Sequence, residues 1–346
     1  MINIGVIGCG KIAQVRHLPE YKDNPDANVY GLYDQNRQRA EDLAKQYGAK
    51  AYDTLEEMLQ EPAIDAVSVC TANNTHAEIS IMALNAGKHV LCEKPMATTP
   101  QDCQKMVEAA RRNRKYLMIG QNQRFAKAHM KARELIWGGE IGEIITFRTT
   151  FGHGGPETWS VDGGNTVWFF DRNIANMGAM ADLGVHKTDL IHFLCGSYIS
   201  KVTARMSTLD KKDAQGRKIS VEDNAFCIYE LENGVTGTMT ASWTYYGPED
   251  NSTVFYGTEG IMRIYDDPLH SIIVNKKDGR RCVYDTDAIQ TNDKQEKSGI
   301  IDSWIDSIVN ETAPEISGEE ILHTMKAVFA AVESAGEGKT VSVDGY

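Results

Sequence analysis

The sequence lacks the features of a nucleic-acid-binding, membrane-spanning or disulfide-rich protein. No basic block offsets its net charge of -12, which argues against nucleic acid as the main partner. No charged leader precedes the first apolar run, and no apolar run is long enough to span a bilayer. The seven cysteines are odd in number, scattered and without a C-x-x-C pair, a pattern typical of buried thiols in a reducing compartment. We therefore expect a cytoplasmic protein.

The length and the pattern of apolar residues indicate two domains. A chain of 346 residues is too long for one ordinary core. Strand and helix patterns alternate up to about residue 124, which predicts a parallel sheet covered by helices. Beyond it, segments of period two follow one another at short spacing and predict an antiparallel sheet. We expect an α/β domain over 1–124 and an α+β domain with a large, mostly antiparallel open sheet over 125–346.

The first apolar run, Ile2 to Ile7, leads directly into a G-x-G-x-x-A motif, and a helix follows the motif. Gly8 permits a tight turn, Gly10 lets a pyrophosphate approach the backbone, and Ala13 lets the helix lie close to the sheet. This context predicts a Rossmann dinucleotide-binding domain with a phosphate at the helix N-terminus. The candidate cofactor contacts of the loop are Gly8, Gly10, Lys11, Ile12 and Ala13.

Asp34 ends the second predicted strand, where a dinucleotide fold places an acid that accepts hydrogen bonds from the adenine ribose. An acid also repels a 2′-phosphate, so NAD is the simpler cofactor and NADP the alternative. Arg37 could pair with a 2′-phosphate, or it could be a solvated residue of the following helix.

Two more polar stretches follow predicted strands of the first domain. Thr71, Asn73 and His76 come after the third long strand, and they either cap the next helix or hydrogen-bond a cofactor; both roles can coexist. Gln121 follows the last strand, where open α/β sheets bind ligands. We include these four residues among the candidate cofactor contacts.

The stretch from His89 to Pro95 predicts a short buried strand that delivers Glu93 and Lys94 to its carboxyl end. Pro95 disfavours helix at the preceding residue, so Lys94 is expected in an extended conformation. A lysine held at that edge of the sheet is a candidate for chemistry, whereas taken alone it is more readily interpreted as a solvated lysine at a strand end.

In the second domain, Asp182, His186 and Asp189 have the spacing i, i+4, i+7 and would share one face of a helix. A histidine flanked by two acids on a stripe with apolar neighbours is an acid/base candidate, although such a stripe can also be a solvated face. Thiol and paired-histidine spacing is absent, so we expect no metal.

These motifs, in this order, resemble the glucose-fructose oxidoreductase / inositol dehydrogenase / MocA (Gfo/Idh/MocA) family of NAD(P)-dependent sugar and polyol dehydrogenases. The resemblance covers nearly the whole chain. It rests on G-x-G-x-x-A at Gly8 to Ala13, Asp34, T-x-N-x-x-H at Thr71 to His76, Glu93-Lys94-Pro95, the turn Gly139 to Gly142, and D-x-G-x-H at Asp182 to His186.

The resemblance implies a Rossmann domain followed by an α+β domain whose open sheet mediates dimer or tetramer formation. It also implies a catalytic set of Lys94, Asp182 and His186. Hydride leaves a secondary alcohol only as the hydroxyl proton departs, so either Lys94 or His186 would accept that proton while Asp182 positions the sugar. Lys94 and Glu93 would also contact the cofactor. The remaining candidate substrate contacts are Arg124, His153, Trp159, Trp168 and Arg172.

The expected activity is hydride transfer between NAD(P) and a sugar, a cyclitol or a sugar derivative. Two other functions occur on this fold: a glycoside hydrolase that oxidises its substrate transiently with NAD, and a non-enzymatic sugar or dinucleotide sensor. A sensor has no need for Lys94, Asp182 and His186 together, which favours an enzyme.

Overall fold

The computed structural model describes residues 1–286 and 297–346, which form two compact units. The first unit comprises Met1–Gln121, Trp159–Asp162 and residues 297–322, and the second comprises Asn122–Thr158, residues 163–286 and His323–Tyr346. Residues 297–322 belong with the first unit because Asn24 donates a hydrogen bond to Asp302 and Glu20 accepts one from the backbone of Ser298. The domain boundary at residue 124 stays a prediction.

The first unit is built on a six-stranded parallel sheet with the strand order β3-β2-β1-β4-β5-β6. Its strands are β1 (Ile2–Ile7), β2 (Ala27–Tyr33), β3 (Lys50–Ala51), β4 (Ala66–Val69), β5 (His89–Cys92) and β6 (Leu117–Ile119). Its helices are α1 (Leu18–Asp23), α2 (Arg37–Tyr47), α3 (Leu55–Gln60), α4 (His76–Asn85), α5 (Pro100–Asn113) and α9 (Ile300–Val309).

The local sequence explains where these helices begin and end. The hydroxyl of Thr99 accepts a hydrogen bond from the backbone of Asp102, and Pro100 occupies the first turn of α5. Gly48 ends α2 in the left-handed conformation, with a φ of 68°. The strands β4 and β6 are buried at every residue, as expected for a parallel sheet covered on both faces.

The second unit is built on a nine-stranded sheet with the order β14-β13-β12-β11-β7-β10-β9-β8-β15. Neighbouring strands are antiparallel except β7 and β10, which run parallel. The strands are β7 (Ile144–Gly152), β8 (Ile199–Ser207), β9 (Asn224–Leu231), β10 (Thr236–Ser242), β11 (Thr253–Gly257), β12 (Gly260–Ile264), β13 (Ile272–Lys276), β14 (Arg281–Tyr284) and β15 (Val341–Ser342). The other helices are α6 (Lys127–Trp137), α7 (Arg172–Ala175), α8 (Val185–Cys195) and α10 (Gly318–Glu337).

The two faces of the second sheet have different surroundings. On β9, Cys227 and Tyr229 are buried, and the Tyr229 hydroxyl is 2.8 Å from that of Thr188 on α8. On the opposite face of the same strand, Phe226 and Ile228 are 42% and 50% exposed. The sheet is therefore covered on one side and leaves apolar side chains exposed on the other.

The predicted fold class is confirmed, and the differences concern short elements. The helix after the glycine loop contains a π-helical segment, Ala13–His17, before it continues as α1, and a second π-helix, Met180–Gly184, precedes α8. The apolar pattern does not reveal β3, β14 and β15, because they have two to four residues each and too little alternation to be distinguished from turns. In the described residues, no helix is both long and apolar enough to cross a bilayer.

Candidate active site

The predicted cofactor contacts all follow β1, β2, β4, β5 or β6, which are neighbours in the parallel sheet of the first unit. The carboxyl ends of parallel strands meet at one edge, where ligands of open α/β sheets bind. The structure therefore brings these residues to a common edge.

The glycine loop after β1 leaves room for a ligand. Gly8 has a φ of 88°, and a Cβ there would lie 2.7 Å from the carbonyl carbon of Cys70, so only glycine fits. A Cβ on Gly10 would have no atom of the described chain within 4 Å. Lys11 and Ile12 are half-buried and helical, and the fully buried Ala13 begins the π-helix.

Asp34 is tied to this loop by its carboxylate. Its Oδ2 accepts a hydrogen bond of 2.6 Å from the backbone N–H of Cys9, and its Oδ1 accepts one of 2.7 Å from Asn36. The Arg37 guanidinium points to other acids at the surface, with Nε 2.7 Å from Glu41 and a terminal nitrogen 2.6 Å from Asp53. Arg37 is therefore an exposed residue of α2 that forms ion pairs with these two acids.

The Thr71 to His76 stretch is joined to the Glu-Lys-Pro segment by a buried histidine. His76 Nδ1 lies 2.7 Å from the carbonyl oxygen of Pro95, and Nε2 lies 3.1 Å from that of Thr71. Burial lowers the pKa of His76 against both hydrogen bonds, so the ring is neutral and the closer Nδ1 donates to Pro95. Asn73 is buried in a short 3₁₀ turn just before α4.

Glu93 and Lys94, which directly follow β5, lie in different environments. Glu93 is 4% exposed, and its Oε1 lies 2.9 Å from His17 Nε2 and 3.6 Å from an Arg16 nitrogen. Its Oε2 accepts from the backbone N–H of Lys94 at 3.2 Å. Lys94 is half-buried and lies outside any helix, and the peptide bond to Pro95 is cis.

Gln121, directly after β6, carries an orphaned amide. The residue is 1% exposed, and neither its Oε1 nor its Nε2 has a hydrogen-bond partner in the described part of the chain. Buried amides are nearly always hydrogen-bonded, because an unpaired group costs about 1–3 kcal/mol. The carboxamide of a nicotinamide has the donor and acceptor that would satisfy both atoms. Together with the space over Gly10 and the acid at Asp34, this amide makes the edge fit a nicotinamide dinucleotide.

In the second unit, Asp182 lies in the π-helix before α8 and His186 in the first turn of α8. Asp182 Oδ2 accepts a 3.0 Å hydrogen bond from the indole of Trp243 and lies 3.9 Å from Nε2 of His153. The His186 ring is centred 6.1 Å from that of Phe151, which is itself 5.9 Å from the His153 ring. A carboxylate, two imidazoles and two aromatic rings thus form one cluster.

The backbone before this cluster is fixed by a buried acid. Glu222 accepts hydrogen bonds from the backbone of Gly178 at 2.7 Å and of Met180 at 3.1 Å. A Cβ on Gly178 would lie 2.0 Å from the carbonyl oxygen of Glu222, so glycine is required at this entry. Burial raises the pKa of Glu222, against the effect of those hydrogen bonds.

Asp189, expected on one stripe with Asp182 and His186, is instead engaged by Arg124. The two side chains form a bidentate ion pair with distances of 2.7 and 2.6 Å, and both are almost fully buried. Thr324 adds a hydrogen bond of 3.0 Å to Asp189. Arg124, a predicted substrate contact, therefore anchors α8.

The other predicted substrate contacts fall into different places. Trp168 stacks on Phe169 with ring centres 3.8 Å apart, and Trp168 belongs to the second unit, whereas Trp159 belongs to the first. The exposed Arg172 donates through Nε to the carbonyl oxygen of Ser220 at 2.8 Å. His153 Nε2 lies 3.9 Å from the carboxylate of Asp182.

Sequence reasoning missed Trp243 and Lys187. A fully buried indole N–H needs an acceptor, and this requirement is the signal that could have found Trp243. Lys187 is fully buried and donates to the carbonyl oxygen of Asn251 at 2.9 Å; burial lowers its pKa to about 7, although the charge of Asp250 opposes this. A lysine next to His186 in a polar sequence gives no sign of such burial.

No group of three or more metal-ligating side chains occurs in residues 1–286 and 297–346. Among the carboxylates described above, that of Asp189 pairs with Arg124, and that of Asp182 accepts from the Trp243 indole. Those of Asp34 and Glu222 accept from backbone N–H groups.

Comparison with known proteins gives two family matches. Residues 2–121 match the family described as "Oxidoreductase family, NAD-binding Rossmann fold", and residues 129–263 match the Gfo/Idh/MocA C-terminal domain. The myo-inositol 2-dehydrogenase of Thermotoga maritima is 27% identical over 99% of each chain. The levoglucosan dehydrogenase of Pseudarthrobacter phenanthrenivorans is 30% identical over 75% of this chain and 72% of its own. Among solved structures, an NAD-binding oxidoreductase from Klebsiella pneumoniae superposes with a TM-score of 0.84 at 26% identity, over 99% of each chain.

Proposed function

Because the chain belongs to the Gfo/Idh/MocA oxidoreductase family, we propose that it transfers a hydride between NAD and a secondary alcohol or ketone of a sugar, a cyclitol or a sugar derivative. The chain is an NAD(P)-dependent dehydrogenase that acts on CH–OH groups, with an NAD-binding Rossmann domain. It is a sugar oxidoreductase. The names of its relatives, an inositol dehydrogenase and a levoglucosan dehydrogenase, support a polyol or sugar as the substrate.

The observation that carries the proposal is the cluster around Asp182. A carboxylate accepts hydrogen bonds from neighbouring hydroxyls, which sugars and cyclitols carry on adjacent carbons. The Trp243 indole fixes one oxygen of Asp182, so the carboxylate is held in one orientation for a substrate. His153 and His186, whose rings both lie near that of Phe151, add groups that can donate to or accept from a hydroxyl.

Oxidation of a secondary alcohol requires a base at the hydroxyl, because hydride leaves only as the proton departs. NAD, when bound, supplies the hydride acceptor. We assign the handling of the substrate's hydroxyl to Lys94 and His186. One of them accepts the hydroxyl proton, and the other donates a hydrogen bond that orients the oxygen. Asp182 holds an adjacent hydroxyl. Single variants at Lys94 and His186, compared by their pH–rate profiles, identify the acceptor.

The contacts of Asp34 and Arg37 support NAD over NADP. Asp34 presents a carboxylate where a 2′-phosphate would lie, and like charges repel. Arg37, which could offset that repulsion, already pairs with Glu41 and Asp53. An NAD/NADP affinity ratio well above one, measured by calorimetry, supports this choice, and a ratio below one refutes it.

The exposed face of β9 supports a homodimer or homotetramer formed through the sheet of the second unit. Phe226 and Ile228 point to the same side because side chains alternate along a strand. Light scattering on the wild type and on an Ile228→Lys variant measures the subunit number. We expect the variant to dissociate, and a monomeric wild type contradicts the proposal.

A cytoplasmic location is supported by the cysteines. All seven are unpaired, and five are buried. Fractionation of the native host provides the test, and recovery from an oxidising compartment would contradict it.

The activity is tested by absorbance of reduced nicotinamide. Purified protein is mixed with NAD or NADP and a panel of inositols, aldoses and glycosides, and growth of the band with one polyol identifies substrate and cofactor together. Lys94→Ala is expected to keep dinucleotide binding and lose turnover. The matched control is Lys105→Ala, an exposed lysine on α5 that pairs with Asp102. Unchanged turnover in Lys94→Ala, or glycoside cleavage without net reduction of NAD, would overturn the proposal.

A further inference from the structure

The first helical turns after the glycine loop contact the Glu-Lys-Pro segment through a buried polar chain. Tyr21 Oη lies 2.6 Å from Ser68 Oγ, which lies 3.1 Å from His17 Nδ1, and His17 Nε2 lies 2.9 Å from Glu93 Oε1. All four side chains are buried. This series of hydrogen bonds therefore joins α1, β4 and the segment after β5 inside one unit.

The donors of this chain can be assigned by counting. A carboxylate only accepts, so Nε2 of His17 carries a proton and donates to Glu93. The Tyr21 hydroxyl then donates to Ser68 and the Ser68 hydroxyl to Nδ1, which leaves every proton of the chain with an acceptor. The His17 ring is thereby held between Ser68 and Glu93.

Arg16 brings a positive charge to the same carboxylate. Its guanidinium is buried and lies 3.6 Å from the same Glu93 oxygen. Burial alone would raise the pKa of Glu93, but the hydrogen bond and charge of His17, and the charges of Arg16 and Lys94, together lower the pKa to about 2. The carboxylate is thus ionised at every working pH, and it adjoins Lys94 in the chain.

A carboxylate beside a lysine that must release a proton is unfavourable for catalysis, because its negative charge stabilises the protonated amine. We propose that Arg16 and His17 are positioning residues that hold Glu93 by Oε1 and offset its charge, so that Lys94 can release its proton at neutral pH. This inference rests on the proposed role of Lys94 in proton transfer. The second oxygen of Glu93 accepts from the Lys94 backbone, so the same carboxylate also fixes the lysine's main chain.

The other titratable groups that interact with this pair do not compete for the role. Burial raises the pKa of Cys92 to about 12 and that of Cys70 above its usual range, and it lowers the pKa of His76. All three are uncharged near neutral pH. The groups that interact electrostatically with Glu93 or Lys94 include Arg16, His17, Cys70, His76 and Cys92.

The test is the acid limb of the pH profile of kcat/KM for alcohol oxidation, measured on the full chain with NAD. Arg16→Met leaves the charge of Glu93 to be offset by Lys94, so the limb should move to higher pH by about one unit. Arg16→Lys keeps the charge and should restore the wild-type limb. In a Glu93→Gln background, Arg16→Met should move the limb less, because the part of the effect that Arg16 exerts by holding Glu93 is absent there.

Separate readouts distinguish this role from a structural one. Dinucleotide affinity and the melting temperature are measured for each variant, since a residue that only supports the fold changes the melting temperature and leaves the limb where it is. An unmoved limb in Arg16→Met, or an equal shift with and without Glu93, overturns the inference. Retained turnover in Lys94→Ala would instead overturn the proposed function on which it rests.

Discussion

Because the amide of Gln121 is buried without a partner in the described chain, its removal should stabilise the protein without NAD and weaken the binding of NAD. Gln121→Met keeps the length of the side chain and removes two buried polar atoms that lack partners in the described chain. Each such atom costs about 1–3 kcal/mol, so the variant without NAD should gain about 2 kcal/mol in free energy of unfolding, the lower end for two atoms. For a domain of this size, that corresponds to a rise in melting temperature of about 4–8 °C.

The same substitution should weaken the binding of NAD. If the cofactor satisfies the Gln121 amide, the variant loses about 2 kcal/mol of binding free energy, which is roughly a 30-fold rise in Kd. Thermal unfolding with and without NAD and titration calorimetry measure both effects. At saturating NAD, the variant should no longer be more stable than the wild type, because bound NAD stabilises the wild type through Gln121 and stabilises the variant less.

The matched control is Gln38→Met on α2. Gln38 is exposed and donates to Asp42 at 2.9 Å, so its replacement should change neither the melting temperature nor the Kd appreciably. A Gln121→Met protein that is less stable without NAD, or that binds NAD as tightly as the wild type, would refute the reasoning.

Three further outcomes follow from contacts within single units. Trp243→Phe removes the indole donor to Asp182, so KM for the sugar should rise about tenfold while the Kd of NAD stays constant, measured by steady-state kinetics and calorimetry; an unchanged KM contradicts this. Arg124→Met leaves Asp189 as a buried unpaired acid, which should lower the free energy of unfolding by about 3–5 kcal/mol in urea titrations, and a loss below about 1 kcal/mol would disprove it. The lowered pKa of Glu93 gives stability that is present above its unfolded pKa of 4.5 and is lost as pH falls towards about 2, so urea titrations should show a smaller loss of stability on acidification in Glu93→Gln than in the wild type.

The elements that the sequence predicts well are those in which local and tertiary requirements agree. The run from Ile2 to Ile7 is apolar except for Asn3, because both faces of this parallel strand are buried from Ile4 onward, and Gly8 is required by its positive φ. The π-helices at Ala13–His17 and Met180–Gly184 were not predictable, because a wider helical turn leaves no mark on residue preference.

The side chains of the site show the same division. The positions of Asp34 and Lys94 after their strands follow from the alternation of strand and helix. The pairing of Arg124 with Asp189 does not, because it depends on how α8 packs, and neither partner's sequence neighbours indicate it. The same holds for Trp243, whose hydrogen bond to Asp182 joins residues 61 positions apart.

The parallel pairing of β7 with β10 has a consequence for how the chain folds. β7 lies in the sheet between β10 and β11, which begin at Thr236 and Thr253. The backbone groups on both edges of β7 therefore stay unpaired until those strands have been synthesised. During synthesis β7 is made long before either partner, whereas the first unit pairs β1 with β2 almost at once. Unpaired edges recruit other chains, and distant pairings form slowly. The second unit should therefore be the part of the nascent chain that depends on chaperones, and chains truncated before β11 should aggregate.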